Sequence, residues 1–107
     1  MITRYAIFEG QVNEGQTEAF RAAVLEELLP KWQAMPGART VRVTFTNDAD
    51  DGAPSFPMIM EIDYDDMDAV TAALASPERT IGKSATEALL PRFFTGRIHH
   101  HNTTKAA

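Results

Sequence analysis

The chain has 107 residues, enough for one domain with a modest core. It contains no cysteine, which excludes disulfides, a thiol nucleophile and any Cys-based metal site. With 15 acidic against 10 basic residues its net charge is −5, so a phosphate backbone finds no excess of cations to bind, and nucleic acid is not an expected partner.

Hydrophobic residues make up 44% and charged residues 23%, the balance of an ordinary soluble domain. No apolar run approaches the roughly 18 residues that span a bilayer, so no membrane helix is expected. The opening Met1-Ile2-Thr3-Arg4-Tyr5 lacks the charged-then-apolar layout of a signal peptide, which predicts a cytoplasmic protein.

Thr3 to Val12 alternates as a strand does, with Ala6, Phe8 and Val12 on one face and Tyr5, Ile7, Glu9 and Gln11 on the other. Asn13-Glu14-Gly15 breaks it. Thr17 then reads as an N-cap, with Glu18 in the first turn of a helix. Phe20, Ala23, Val24, Leu28 and Trp32 recur at helical spacing as far as about Met35. Pro30 lies inside that pattern and is expected to kink or split the helix near Leu29. Trp32 reads as a core anchor.

Arg39 to Asn47 is expected to form a second strand, with Val41, Val43 and Phe45 opposite Thr40, Arg42 and Thr44. The acidic stretch from Asn47 to Pro57 does not match a calcium loop, because Gly52 takes a ligand position and no glutamate follows at the required distance. A solvated hairpin loop is the plainer reading. Phe56 to Tyr64 forms the third strand, with Phe56, Met58, Met60, Ile62 and Tyr64 inward and Ile59, Glu61 and Asp63 opposite.

Asp65 or Asp66 caps the next helix, whose stripe is Met67, Val70, Ala73 and Leu74. Ser76-Pro77-Glu78 starts another, with Ser at the cap and Pro at the first helical position. It is expected to bury Ile81, Ala85 and Leu89 and to stop at Pro91. The last strand puts Phe94, Gly96 and Ile98 on one face and Thr95, Arg97, His99 and His101 on the other. Residues Asn102 to Ala107 read as a frayed tail.

This β-α-β-β-α-β order predicts an α+β, ferredoxin-like domain spanning 1–107, its antiparallel sheet ordered 4-1-3-2 with the helices on one face. The other face carries Tyr5, Ile7, Glu9, Arg42, Thr44, Ile59, Glu61, Thr95, Arg97 and His99. It is too apolar for plain solvent surface and too charged for a dry core. Arg97 and Arg42 fall on outer strands, each beside a glutamate on an inner strand, Glu9 and Glu61, so cross-strand pairing is expected. Such a face suits a half-wet chamber closed by a second copy, which predicts a homodimer.

With Met35-Pro36-Gly37-Ala38 between the first helix and the second strand, the chain resembles the dimeric α+β barrel superfamily. Leu74-Ala75-Ser76-Pro77-Glu78 and the ending Phe94-Thr95-Gly96-Arg97-Ile98-His99 are similar to small EthD-like proteins. The resemblance implies two sheets face to face in a dimer, with a pocket between each sheet and its helices or in the shared lumen. It also implies a range of activities, among them cofactor-free quinone-forming monooxygenases, muconolactone-type isomerases and stress-responsive barrel proteins. No cofactor is expected.

Two chemical readings arise on the open face. His99 and His101 have the His-x-His spacing that metal sites use, but a third ligand such as Glu9 or Glu61 is needed, and strand-end histidines pairing with carboxylates are the plainer reading. No metal is therefore assigned. The second reading is acid–base chemistry, with His99 beside Glu9 as the proton-moving pair and Tyr5 adding a hydrogen bond. Arg97 could hold a carboxylate or enolate oxygen, with Arg42, Glu61, Ile7 and Ile59 as further substrate-contacting positions. Arg97–Glu9 and Arg42–Glu61 can equally be structural ion pairs. The expected function is a cofactor-independent monooxygenase or isomerase acting on a small hydrophobic ring compound with an acidic or carbonyl group. The alternative is a non-catalytic ligand-binding or stress-associated barrel.

Overall fold

Period-2 patterning is converted into four strands in the computed structural model, which describes all 107 residues. Strand β1 spans Ile2–Val12, β2 Thr40–Phe45, β3 Met58–Tyr64 and β4 Phe94–Thr104. They form one antiparallel sheet in the order β2-β3-β1-β4, the expected 4-1-3-2 arrangement read from the other edge. No helix is long and apolar enough to cross a membrane.

The first helical segment departs from its expected cap. Helix α1, Thr17–Ala23, is capped by Gln16 rather than Thr17, and no side chain serves the cap. Gly15 at φ 74° turns the chain, and Gln16 N–H bonds Asn13 O at 3.0 Å, so the turn itself delivers the helix start. Pro30 acts as expected. A π-helical segment, Val24–Leu28, separates α1 from α2, Leu29–Gln33, which places Pro30 in the first turn of α2, where its missing N–H costs nothing.

Asp66 caps α3, Met67–Leu74, by accepting from Ala69 N–H at 2.8 Å. Ser76 caps α4, Pro77–Leu89, accepting from Arg79 N–H at 3.2 Å. Two stripes differ from expectation. Val70 and Ala73 of α3 are buried, but Met67 and Leu74 are exposed. On α4, Gly82, Thr86 and Leu89 are buried, whereas Ile81 stands 57% exposed. Thr86 can turn inward because its Oγ1 donates to Gly82 O at 2.8 Å. A 3-10 turn at Leu90–Arg92, holding Pro91, ends the helical run.

The tail also differs. Asn102, Thr103 and Thr104 are not frayed; they pair with Arg4, Thr3 and Ile2, and Lys105 N–H reaches Met1 O at 3.0 Å. The first residues of β1, from Ile2, supply the partners, and β-branched threonines suit the pairing. Only residues 105–107 lie beyond the sheet.

The core lies between the sheet and its single helical layer. Phe8, Phe20, Met58, Ile62, Tyr64, Val24, Leu28 and Trp32 are buried there. Phe8 meets Phe94 edge-on at 6.3 Å and Trp32 at 6.4 Å, while Phe20 stacks on Phe94 at 6.4 Å. Gly10 and Gly96 face each other across β1 and β4, and the Phe94 ring lies over the pair in the space their missing side chains leave.

Candidate functional site

Register decides what the open sheet face brings together. Glu9 stands level with Arg97, and its Oε1 lies 3.2 Å from Arg97 Nε and 2.7 Å from His99 Nε2. His99, then Arg97, hold the Glu9 carboxyl below its usual 4.5. One oxygen therefore serves two neighbours.

Arg42 stands level with Glu61, as expected, at 3.5 Å. Its stronger partner is Asp63, reached through two bonds of 2.8 and 3.1 Å. These bonds raise the Arg42 pKa and hold Asp63 down at about 2, with Thr3 Oγ1 adding a 2.7 Å bond to the same carboxylate. Between the two ionic groups lie Ile7 and Ile59, directly paired across β1 and β3, with Thr44 and His99 at the ends of their row. Tyr5 is level with Glu61 and His101. No group of three or more His, Asp and Glu side chains is arranged to hold a metal ion, so His99 and His101 do not form one with Glu9 or Glu61.

The cavity lies on the other face. A space of about 360 Å³ opens between the sheet and the helices, within the usual range for small-molecule sites. Phe8, Met60 and Ile62 line it from the sheet; Trp32, Met35, Leu74 and Leu90 line it from the helical side. Gly82 carries no side chain beside Trp32, and a Cβ placed there would be 4.0 Å from Trp32 Cδ1. Five basic side chains, half-buried or exposed, border it: Arg4, Arg79, Lys83, Arg97 and His100. His100 as a whole is solvent-exposed, but partial burial of its ring at this edge, then the charges of Arg4, Arg79, His99 and Lys83, pull the imidazole from 6.5 down to about 4. Burial also raises the pKa of the Tyr64 phenol.

Of the eight expected site residues, only Arg97 borders this cavity; Glu9, His99, Tyr5, Arg42, Glu61, Ile7 and Ile59 face away from it. The residues that sequence reasoning passed over are Arg4, Arg79, Lys83 and His100. Alternation carried a signal for two of them. Arg4 shares the inward face of β1 with Ala6 and Phe8, and His100 that of β4 with Phe94 and Ile98. A charged side chain on a core-facing position marks a hole in the core or its edge. Arg79 and Lys83, four apart on α4, are neighbours on one helix face.

No family model matches the sequence, and no curated protein matches it. Solved structures do. An EthD family protein from Bacillus halodurans superposes with a TM-score of 0.76 at 18% identity, over 97% of this chain and 100% of that one. The shared fold is the ferredoxin-like α+β fold. SnoaB, a cofactor-independent oxygenase from Streptomyces nogalater, shares it with a TM-score of 0.61 and 19% identity, over 99% of this chain and 93% of its own. So does a dimeric ferredoxin-like protein of unknown function from Thermobifida fusca, at 0.63 and 18%, over 97% and 90%. At these identities the likeness shows the fold alone.

Proposed function

We propose that this chain is a cytoplasmic, homodimeric barrel protein that takes a small hydrophobic ring compound into the cavity between its sheet and helices. It acts there without a bound cofactor, as an oxygenase using dioxygen or as an isomerase. The supporting observation is the cavity itself, a mainly apolar space of about 360 Å³ whose lining also carries a few polar and basic side chains. SnoaB, which has the same fold, is a cofactor-independent oxygenase, and the Thermobifida fusca protein is dimeric. The half-buried open face with Ile7 and Ile59 at its centre is the surface for the second copy.

Trp32 is the only tryptophan and lines the cavity, so it reports on occupancy directly. Titration with fused-ring phenols is expected to change its fluorescence saturably, and oxygen uptake without added flavin or metal is expected to accompany product formation. Saturable binding with no turnover on any ring compound identifies the non-catalytic binding protein instead. No change in Trp32 emission removes the cavity reading.

A second reading rests on one contact, the 2.7 Å approach of His99 to Glu9 beside Arg97. In a homodimer this group lies in the shared lumen, where His99 and Glu9 could move a proton, Tyr5 could donate a hydrogen bond and Arg97 could hold an anion. Arg42, Glu61, Ile7 and Ile59 complete that surface.

A further inference from the structure

Most arginines of this protein have a carboxylate. Arg39 pairs with Asp65 at 2.8 Å, Arg42 with Asp63 at 2.8 Å, Arg97 with Glu9 at 3.2 Å and Arg92 with Glu27 at 3.5 Å. Arg21 bonds the Thr46 carbonyl oxygen and lies over the Phe45 ring. The exceptions that remain are Arg4 and Arg79, and both line the cavity together with Lys83.

Arg4 donates to Asn102 Oδ1 at 3.0 Å, a neutral acceptor. Burial and the like charge of Arg79 lower its pKa, the mark of a guanidinium held near another cation without a counter-ion. Glu87 is the one carboxylate lining the cavity, and it forms no ion pair with any of the three. In a chain of net charge −5, three unpaired cations gathered at the edge of an apolar chamber are an anion-binding arrangement.

We propose that the edge of the cavity is an anion subsite in which Arg4, Arg79 and Lys83 bind the carboxylate of a ring-bearing acid, and that the occupied subsite takes up a proton on His100. This rests on the cavity reading above. It goes further in fixing the acidic group, the residues that select it and the proton linkage.

The titratable groups that share the cavity lining with His100 are Arg4 from β1, Tyr64 from β3, Arg79, Lys83 and Glu87 from α4, and Arg97 from β4, with His99 adjacent on that strand. In the free protein partial burial at the cavity edge, and then the repulsion of these cations, holds its pKa down at about 4. A bound carboxylate offsets that repulsion, so the pKa of His100 moves back up in the complex. A group whose pKa rises on binding takes up a proton, and affinity increases as pH falls through the interval between the free and bound values.

Calorimetric titration with 1-naphthoate and its neutral counterpart 1-naphthalenemethanol tests this in the wild-type protein. The acid is expected to bind about tenfold tighter than the alcohol at pH ~7. Arg79→Gln and Lys83→Gln, which break no ion pair, are expected each to weaken the acid by about tenfold. The alcohol's affinity should stay within about twofold. Between about pH 7 and about pH 5, where the probe stays ionised, naphthoate should bind more tightly as pH falls, with net proton uptake read from buffers of different ionisation enthalpy. His100→Gln should abolish that uptake. Equal affinity for the two probes overturns the subsite and leaves the cavity reading standing. Failure of both probes overturns the two together, and preference for the acid without proton uptake overturns the role of His100.

Discussion

Arg42 closes on Asp63 through two bonds, Nη1 to Oδ2 at 2.8 Å and Nη2 to Oδ1 at 3.1 Å, and the carboxylate they grip is only 4% exposed. Thr3 Oγ1 adds a third bond at 2.7 Å. The group ties β1, β2 and β3 together at one end of the open face.

Asp63→Asn is expected to destabilise the fold by about 1–3 kcal/mol at pH ~7, because it weakens a charge-assisted network and leaves Arg42 without its main counter-charge. The pH dependence has a definite sign. The carboxyl is held at about 2 in the folded protein against an ordinary 3.8, so its contribution is complete above about 3.8 and disappears as pH falls through about 2. Urea denaturation of wild type and variant across that range checks this. The two curves should converge in acid; a gap that stays constant removes the linkage.

Gly96→Ala is expected to cost about 2–4 kcal/mol. Gly96 has φ 157°, and a Cβ there would collide with the Glu9 carbonyl oxygen and approach Phe94 Cζ to 2.7 Å and Gly10 Cα to 2.8 Å. Backbone blocks it on one side and a core ring on the other, so neither can yield cheaply. Thermal melts of Gly96→Ala against a control at Gly52, where an added Cβ meets nothing within 4 Å, separate this crowding from the general effect of replacing glycine.

The strand faces were legible because a half-buried sheet enforces period two, and Met58, Met60, Ile62 and Tyr64 turn inward as the alternation requires. The rotation of α4 was not. Ile81, Ala85 and Leu89 and the set Gly82, Thr86 and Leu89 both fit a helical stripe, and residue type favoured the wrong one. The buried set won because Gly82 fits beside Trp32 and Thr86 satisfies its own hydroxyl. The ion pairs were half legible. Cross-strand logic placed Arg97 beside Glu9 and Arg42 beside Glu61, but Arg42 is long enough to reach diagonally to Asp63, which Thr3 and the sheet edge bury. The cavity was hidden altogether, since a hole comes from what two packed layers fail to fill and has no period of its own.

Ile7→Lys is expected to convert the proposed dimer into a folded monomer at micromolar concentration. Ile7 pairs with Ile59 and lies level with His99 at the centre of the open face, where a lysine in each copy sets buried charge against buried charge. Its side chain points away from the core, so the monomer keeps its sheet. Sedimentation together with circular dichroism checks both parts. A wild-type protein that sediments as a stable monomer, or a variant that stays dimeric, overturns the assignment of this face.

Glu9→Gln decides which side of the sheet does chemistry. Glu9 Oε1 bonds both His99 and Arg97, and all three point away from the cavity apart from the edge that Arg97 shares. With turnover in the cavity, the substitution is expected to change kcat by less than about threefold, because the one lining group that loses a charged partner is Arg97, which is exposed at the edge. General acid–base catalysis contributes about 10²–10⁴-fold, so a proton-moving pair in the lumen would lose about a hundredfold or more when its carboxylate becomes an amide. His99→Ala should follow Glu9→Gln in either case, since each removes the same 2.7 Å contact. A loss of that size in both variants, with the dimer intact, transfers the chemistry from the cavity to the face between the two copies.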